Sequence, residues 1–195
     1  MKKILAIILT LVMVMAMAAC GSKEATTTTA ATTTVPAVSV ESALELMETV
    51  WANYAEDEMF ASIGGDFGNP VDNAPGTYSL EEAEGLASVL LIPADQLANV
   101  TEAATLMHMM NANTFSGGAV RLAEGTDTAA FAKAVRDAIQ NNQWMCGFPE
   151  KLLVATLGDY VVIAYGHSDA MGPFQQHLVE AYADIELTYD EAIGG

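Results

Sequence analysis

Residues 151–166 read KLLVATLGDYVVIAYG, two apolar runs joined by Gly158-Asp159. A two-residue Gly-Asp link between runs rich in Val, Leu and Ile is the chemistry of a tight β-hairpin, because the link tolerates the backbone twist such turns need. Neither run alternates cleanly between apolar and polar residues, so both strands belong in the middle of a sheet covered on at least one face. A chain that carries this hairpin has to build a sheet around it and shield that sheet with helices.

The flanking sequence supplies both. Val40, Leu44, Met47, Trp51 and Tyr54 recur at three- and four-residue steps with Glu41, Glu45 and Glu48 elsewhere on the wheel, which predicts an amphipathic helix ending near Met59. Residues 61–78 are dense in Gly, Pro, Asn and Asp and read as a long loop. Ser79 with Glu82 has the capping-box spacing, so a second helix starts at Leu80 and stops before Pro93. A strand within Ala103 to Met110 and a second from Thr114 to Leu122 flank an Asn-rich turn and form another hairpin. Gly125 and Thr126 open a third helix with Phe131, Val135, Ala138 and Ile139 inward. The last helix spans about Asp169 to Tyr182 with Pro173 in its first turn, and the acidic end after it is either an edge strand or frayed chain. Two hairpins with segregated helices imply an α+β fold: a two-layer sandwich of an antiparallel four-stranded sheet with helices on one side, in a single domain over 39–195.

The beginning of the chain belongs to no such fold. Lys2 and Lys3 precede an almost unbroken apolar run from Ile4 to Val14, which closes on Ala18 and Ala19. The run is too short for a membrane span and has the form of an export signal over 1–19. The residue that follows is Cys20, and Met17-Ala18-Ala19-Cys20 resembles a bacterial lipobox with Met where Leu is commonest. The resemblance implies that the Cys20 thiol takes a diacylglyceryl group with palmitate-like chains and becomes the first residue of the mature protein. Two acyl chains, at about 0.8 kcal/mol per buried CH₂, suffice for stable anchoring where one does not. Residues 21–38 contain seven Thr and four Ala with almost no large apolar groups, so the stretch cannot offset the entropy of ordering itself. It reads as a tether with a reach of about 20–25 Å.

Charge narrows the partners. The chain has 7 Lys+Arg against 25 Asp+Glu, a formal net charge of −18. Such a body repels phosphate backbones and anionic headgroups, which argues against nucleic acid and leaves membrane attachment to the acyl chains. Once Cys20 is acylated, Cys146 is the remaining thiol, and no internal disulfide or Cys-x-x-Cys pair can be drawn.

Candidates for chemistry are few. Cys146 in QWMCGFPEK reads either as a nucleophile, which requires a base and a lowered pKa, or as a small apolar filler at a strand entrance, the reading preferred here. His167, Asp169 and His177 contain a His-x-Asp and a second His, yet zinc needs three or four convergent ligands. His108, between Met107 and Met109, reads as strand-borne and half-buried. Asp66, Asn69, Asp72 and Asn73 invite a calcium reading, but their spacing departs from the acidic loop that makes such a site specific. No Gly-x-Ser-x-Gly elbow and no phosphate-binding glycine loop is present. The sequence proposes no cofactor, no metal and no catalytic residue.

Residues of about 78–182, above all NQWMCGFPEKLLVATLGDYVVIAYG, are similar to a family of small lipoproteins of unknown activity from gut Firmicutes. Its members share a Trp-x-Cys, a Pro-Glu-Lys and a Gly-Asp/Asn-Tyr hairpin, and some carry the label bacteriocin transport accessory protein. The resemblance implies fold and compartment, and the absent dithiol argues against a redox role. The expectation is a membrane-anchored extracytoplasmic module that binds a ligand or partner. Its alternatives are an accessory factor in peptide export and a hydrolase using Cys146 or the His167/Asp169/His177 group.

Overall fold

The structure is a computed structural model that describes residues 40–145 and 147–194. Four α-helices and eight strands follow one another as α1 (Ala43–Ala52), β1 (Ser62–Gly65), β2 (Pro70–Asp72), β3 (Gly76–Thr77), α2 (Ala83–Leu90), β4 (Val100–His108), β5 (Phe115–Leu122), α3 (Thr128–Gln140), β6 (Lys151–Leu157), β7 (Tyr160–Gly166), α4 (Ser168–Ala181) and β8 (Glu186–Ala192). Short 3-10 turns precede α2 and β4.

All eight strands form one antiparallel sheet in the order β2-β1-β4-β5-β7-β6-β8, with β3 also on β4. The four expected strands are its centre: β4 pairs with β5, β5 with β7 and β7 with β6. The sheet is mixed with helices as an α+β fold requires, but it is not four-stranded. The 61–78 segment contributes three more strands, and the acidic end contributes β8 on the outer edge of β6.

The helices also lie on both faces rather than one. On one face α1 and α4 bury Leu46, Met47, Val50, Phe174 and Leu178 against Ala104, Phe115, Leu153, Val162 and Ala164 of the sheet. On the other, α2 and α3 bury Leu86, Leu90, Phe131, Val135 and Ile139 against Val120, Leu152, Val154, Val161 and Ile163. The cause is visible in β7, in which every residue from Tyr160 to Gly166 is buried. Side chains alternate across a strand, so an apolar run with no polar phase needs a lid on each side. Each fully buried Leu, Val or Phe adds about 1.5–3 kcal/mol, and a two-layer arrangement would forfeit half of these contacts.

Helix ends are set by local chemistry. Ser42 caps α1 by accepting the Glu45 amide at 3.0 Å, and Asp127 caps α3 by accepting the Ala130 amide at 3.0 Å. Helix α1 stops at Ala52, short of Met59, and Tyr54 stays buried beyond it. Pro173 lies in the second turn of α4, where it removes one helical donor beside the exposed Asp169.

Strands β1 and β3 run end to end along the same side of β4, with Gly64 opposite Leu106 and Gly76 opposite Thr105. Residues 66–75 are therefore an excursion from one interrupted strand. Gly64 and Gly76 meet at its base so closely that a Cβ on Gly64 would fall 2.4 Å from the Gly76 amide nitrogen.

Candidate functional site

The β4–β5 turn, the start of β6 and the end of β7 share one end of the sheet, because Phe115 and Lys151 both pair with Gly166. The β6–β7 turn lies at the other end, where Val40 lines a small surface cavity with Leu157, Gly158 and Tyr160. Chain leading into the domain thus joins it opposite the β4–β5 turn.

At the β4–β5 end His108 closes strand β4. Its ring stacks on Phe60 with centroids 5.4 Å apart and planes 17° from parallel. Its Nδ1 accepts the amides of Met110 at 3.2 Å and Asn111 at 3.3 Å. With Nδ1 an acceptor, the neutral ring carries its proton on Nε2. Together His108 and Phe60 wall a groove of about 360 Å³, which is completed by Asp57, Glu58, Thr114, Asp169 and Pro173.

Glu58 links this groove to the interior. The Nε2 of His177, a buried residue of α4, lies 2.9 Å from Glu58 Oε2, and its Nδ1 lies 3.3 Å from Glu180 Oε2. The Ala55 amide, and after it the His177 side chain, hold the Glu58 carboxyl below the ordinary glutamate value. The Tyr54 ring packs on His177 with centroids 4.8 Å apart and planes tilted by 45°, and burial, reinforced by the Glu58 charge, pushes its phenol well up.

His167, Asp169 and His177 do not gather. His167 sits just before the helix and donates its amide to the Thr114 carbonyl at 2.9 Å. Asp169 opens into the groove, whereas His177 is engaged by Glu58 and Glu180. Among the described residues no three His, Cys, Asp or Glu side chains are grouped as a metal ion requires. Cys20 and Cys146 lie outside the described residues. Trp144 packs on Tyr165 at 5.2 Å, and its buried indole nitrogen has no hydrogen-bond partner among the described residues.

Asp66 has a different task from the one calcium would give it. Its Oδ1 accepts the amides of Gly68 at 2.8 Å and Asn69 at 2.7 Å, and its Oδ2 accepts the Ser79 amide at 3.2 Å. Burial pushes this carboxyl up, but the amides of Asn69, Ser79 and Gly68 and the Asn69 side chain outweigh it, so Asp66 stays below the ordinary aspartate value. Asp66 thus serves to organise the 66–79 backbone, with Oδ1 fully engaged, while Asp72 is exposed on β2.

The same end of the sheet displays apolar side chains to solvent. Met109 is 44%, Met110 82%, Met145 90% and Phe148 65% exposed. The two loops that carry them touch, since a Cβ on Gly147 would fall 2.5 Å from Nδ2 of the Asn111 side chain. Met59, also exposed, stands between groove residues Glu58 and Phe60, and Met109 donates its amide to the Ala61 carbonyl at 2.9 Å. The patch follows no helical or strand periodicity, because its residues lie in loops. The signal available was the run Met107-His108-Met109-Met110, in which apolar residues continue past the end of a strand.

Chemically the groove offers carboxylates, an aromatic face, one imidazole and the Thr114 hydroxyl, and beside it lies an adaptable thioether surface. That is an inventory for binding. Comparison with known proteins adds no name: no protein-family description, no curated protein and no solved structure matches this chain.

Proposed function

We propose that this chain is a lipid-anchored extracytoplasmic protein, held by acylated Cys20 and a threonine-rich tether, whose domain binds a partner and performs no catalysis. The observation that carries the binding reading is the cluster of Met109, Met110, Met145 and Phe148 at one end of the sheet, away from Val40 where the tether would join. Scattered exposed hydrophobics are ordinary, but several on two touching loops mark an interaction surface. Methionine suits such a surface, because its unbranched polarizable side chain adapts to a partner's shape. The lipobox at Met17-Ala18-Ala19-Cys20 supports the anchoring half of the reading.

The test is site-specific photocrosslinking in intact cells. A photoreactive residue at Met110 or Phe148 is expected to trap a discrete adduct, whereas one at Val71, exposed on β2, is not. Adducts from Val71 alone, or from none of these positions, would overturn the assignment of this surface.

A further inference from the structure

We infer that the partner met at this end is a basic amphipathic protein segment, one that lays large apolar side chains on Met110, Met145 and Phe148 and sets a Lys or Arg beside Asp57 and Asp169. The inference rests on the partner-binding reading above and specifies its chemistry.

The apolar half follows from exposure. Met110, Met145 and Phe148 are the three most exposed large hydrophobic residues described apart from Phe67, and the contact between Asn111 and Gly147 holds their loops together. The basic half follows from where the cations have gone. Each Lys and Arg among the described residues is already paired: Arg121 with Asp159, Lys133 with Asp137, Arg136 with Glu191 and Lys151 with Asp190. None of these ion pairs includes Asp57 or Asp169, so the groove next to the methionines keeps uncompensated negative charge. Phe60 in the same groove supplies an apolar wall for the methylene stem of a long cationic side chain.

Other occupants fit less well. A second copy would bring the same carboxylates against these, within a chain of formal net charge −18. Anionic lipid is repelled for the same reason. A basic segment gains at both stages, through long-range attraction on approach and apolar burial on contact.

The experiment uses the full chain in phosphatidylcholine nanodiscs, with empty nanodiscs as control, and three fluorescent amphipathic helical peptides that pair Leu with Lys, Glu or Ser. The Leu–Lys peptide is expected to bind at least about tenfold more tightly than the others, and to weaken as salt rises. Methionine-methyl NMR of the unaltered protein should show Met110 and Met145 shifting while the buried Met47 and Met171 stay fixed. Met110→Ser with Phe148→Ser should cost about tenfold in affinity, and Asp57→Asn with Asp169→Asn should flatten the salt dependence. Equal binding of the Leu–Ser peptide at the same methionines would overturn the basic character and leave the partner-binding reading standing. Absence of binding by any of the peptides, or shifts confined to other methionines, would overturn the inference itself. The crosslinking at Met110 decides the broader reading independently.

Discussion

His177 Nε2 lies 2.9 Å from Glu58 Oε2, so one contact ties helix α4 to the segment that follows α1 and fixes a wall of the groove. Glu58 is one of two carboxylates from which a pH dependence of the fold follows. Glu58 titrates below 4.5 because of the Ala55 amide and then His177, and Asp66 titrates below 3.8 once its amide donors outweigh burial. A carboxyl whose pKa is lowered on folding contributes stability that is complete above its unfolded value and is lost as pH falls through the folded one. Urea midpoints should therefore hold steady at neutral pH and fall in acid, below about pH 4.5. Glu58→Gln and Asp66→Asn should each lower the neutral midpoint and flatten the acid limb. An unchanged acid limb in both variants would show that these carboxylates do not carry the dependence.

Close backbone approach gives a second prediction. A Cβ on Gly64 would fall 2.4 Å from both the Ala74 carbonyl oxygen and the Gly76 amide nitrogen, and one on Gly76 would fall 2.6 Å from the Gly65 amide nitrogen. Backbone cannot step aside as a flexible side chain does. Gly64→Ala or Gly76→Ala should destabilise by about 1–3 kcal/mol. Gly172 in α4 makes the control, because a Cβ there meets nothing within 4 Å. Gly172→Ala should stabilise by about 0.5–1 kcal/mol. Equal effects in thermal melts would contradict the geometry.

The center of the fold was legible and its margins were not. The hairpin of β6 and β7 turns at Gly158-Asp159 as its residues demand, and Phe131, Val135 and Ile139 of α3 point inward as read. Strands β1 to β3 escaped because Gly64, Gly65, Pro70 and Gly76 have the composition of turns, and only pairing makes them strands: β1 and β3 along β4, and β2 along β1. The second helical layer was missed: the unbroken apolar run of β7 was read as needing cover on at least one face with the helices on one side, whereas all seven of its residues are buried under helices on both. At the site, His108 was read as half-buried and strand-borne, which it is. Its stacking on Phe60, and the meeting of His177 with Glu58, join residues far apart in sequence that follow no motif spacing.

The proposed anchoring rests on one atom, the Cys20 thiol. Cys20→Ala should abolish labelling by a clickable palmitate analogue and move the protein out of the detergent-soluble membrane fraction. Persistent labelling of this variant would place the acyl group elsewhere.

A core variant separates folding from binding. Phe174 is buried against Phe115 with centroids 5.1 Å apart, so Phe174→Ala should cost about 3–5 kcal/mol. Met110→Ser and Phe148→Ser, at exposed positions, should stay within about 0.5 kcal/mol of the parent while reducing partner capture. Loss of stability in the surface variants comparable to that of Phe174→Ala would make the patch part of the core.

Methionine oxidation is the most direct measurement of the central claim, since the chain brings its own probes. Mild peroxide treatment followed by peptide mass spectrometry compares Met110 and Met145, 82% and 90% exposed, with Met47 and Met171, each 1% exposed. In the purified full chain in nanodiscs, the exposed pair should oxidise quickly and the buried pair slowly. In intact cells a partner-binding surface should slow Met110 and Met145 severalfold while Met47 and Met171 keep their rates. Equal oxidation of Met110 and Met145 in cells and in nanodiscs would contradict the account, because the surface would then be bare where the protein works.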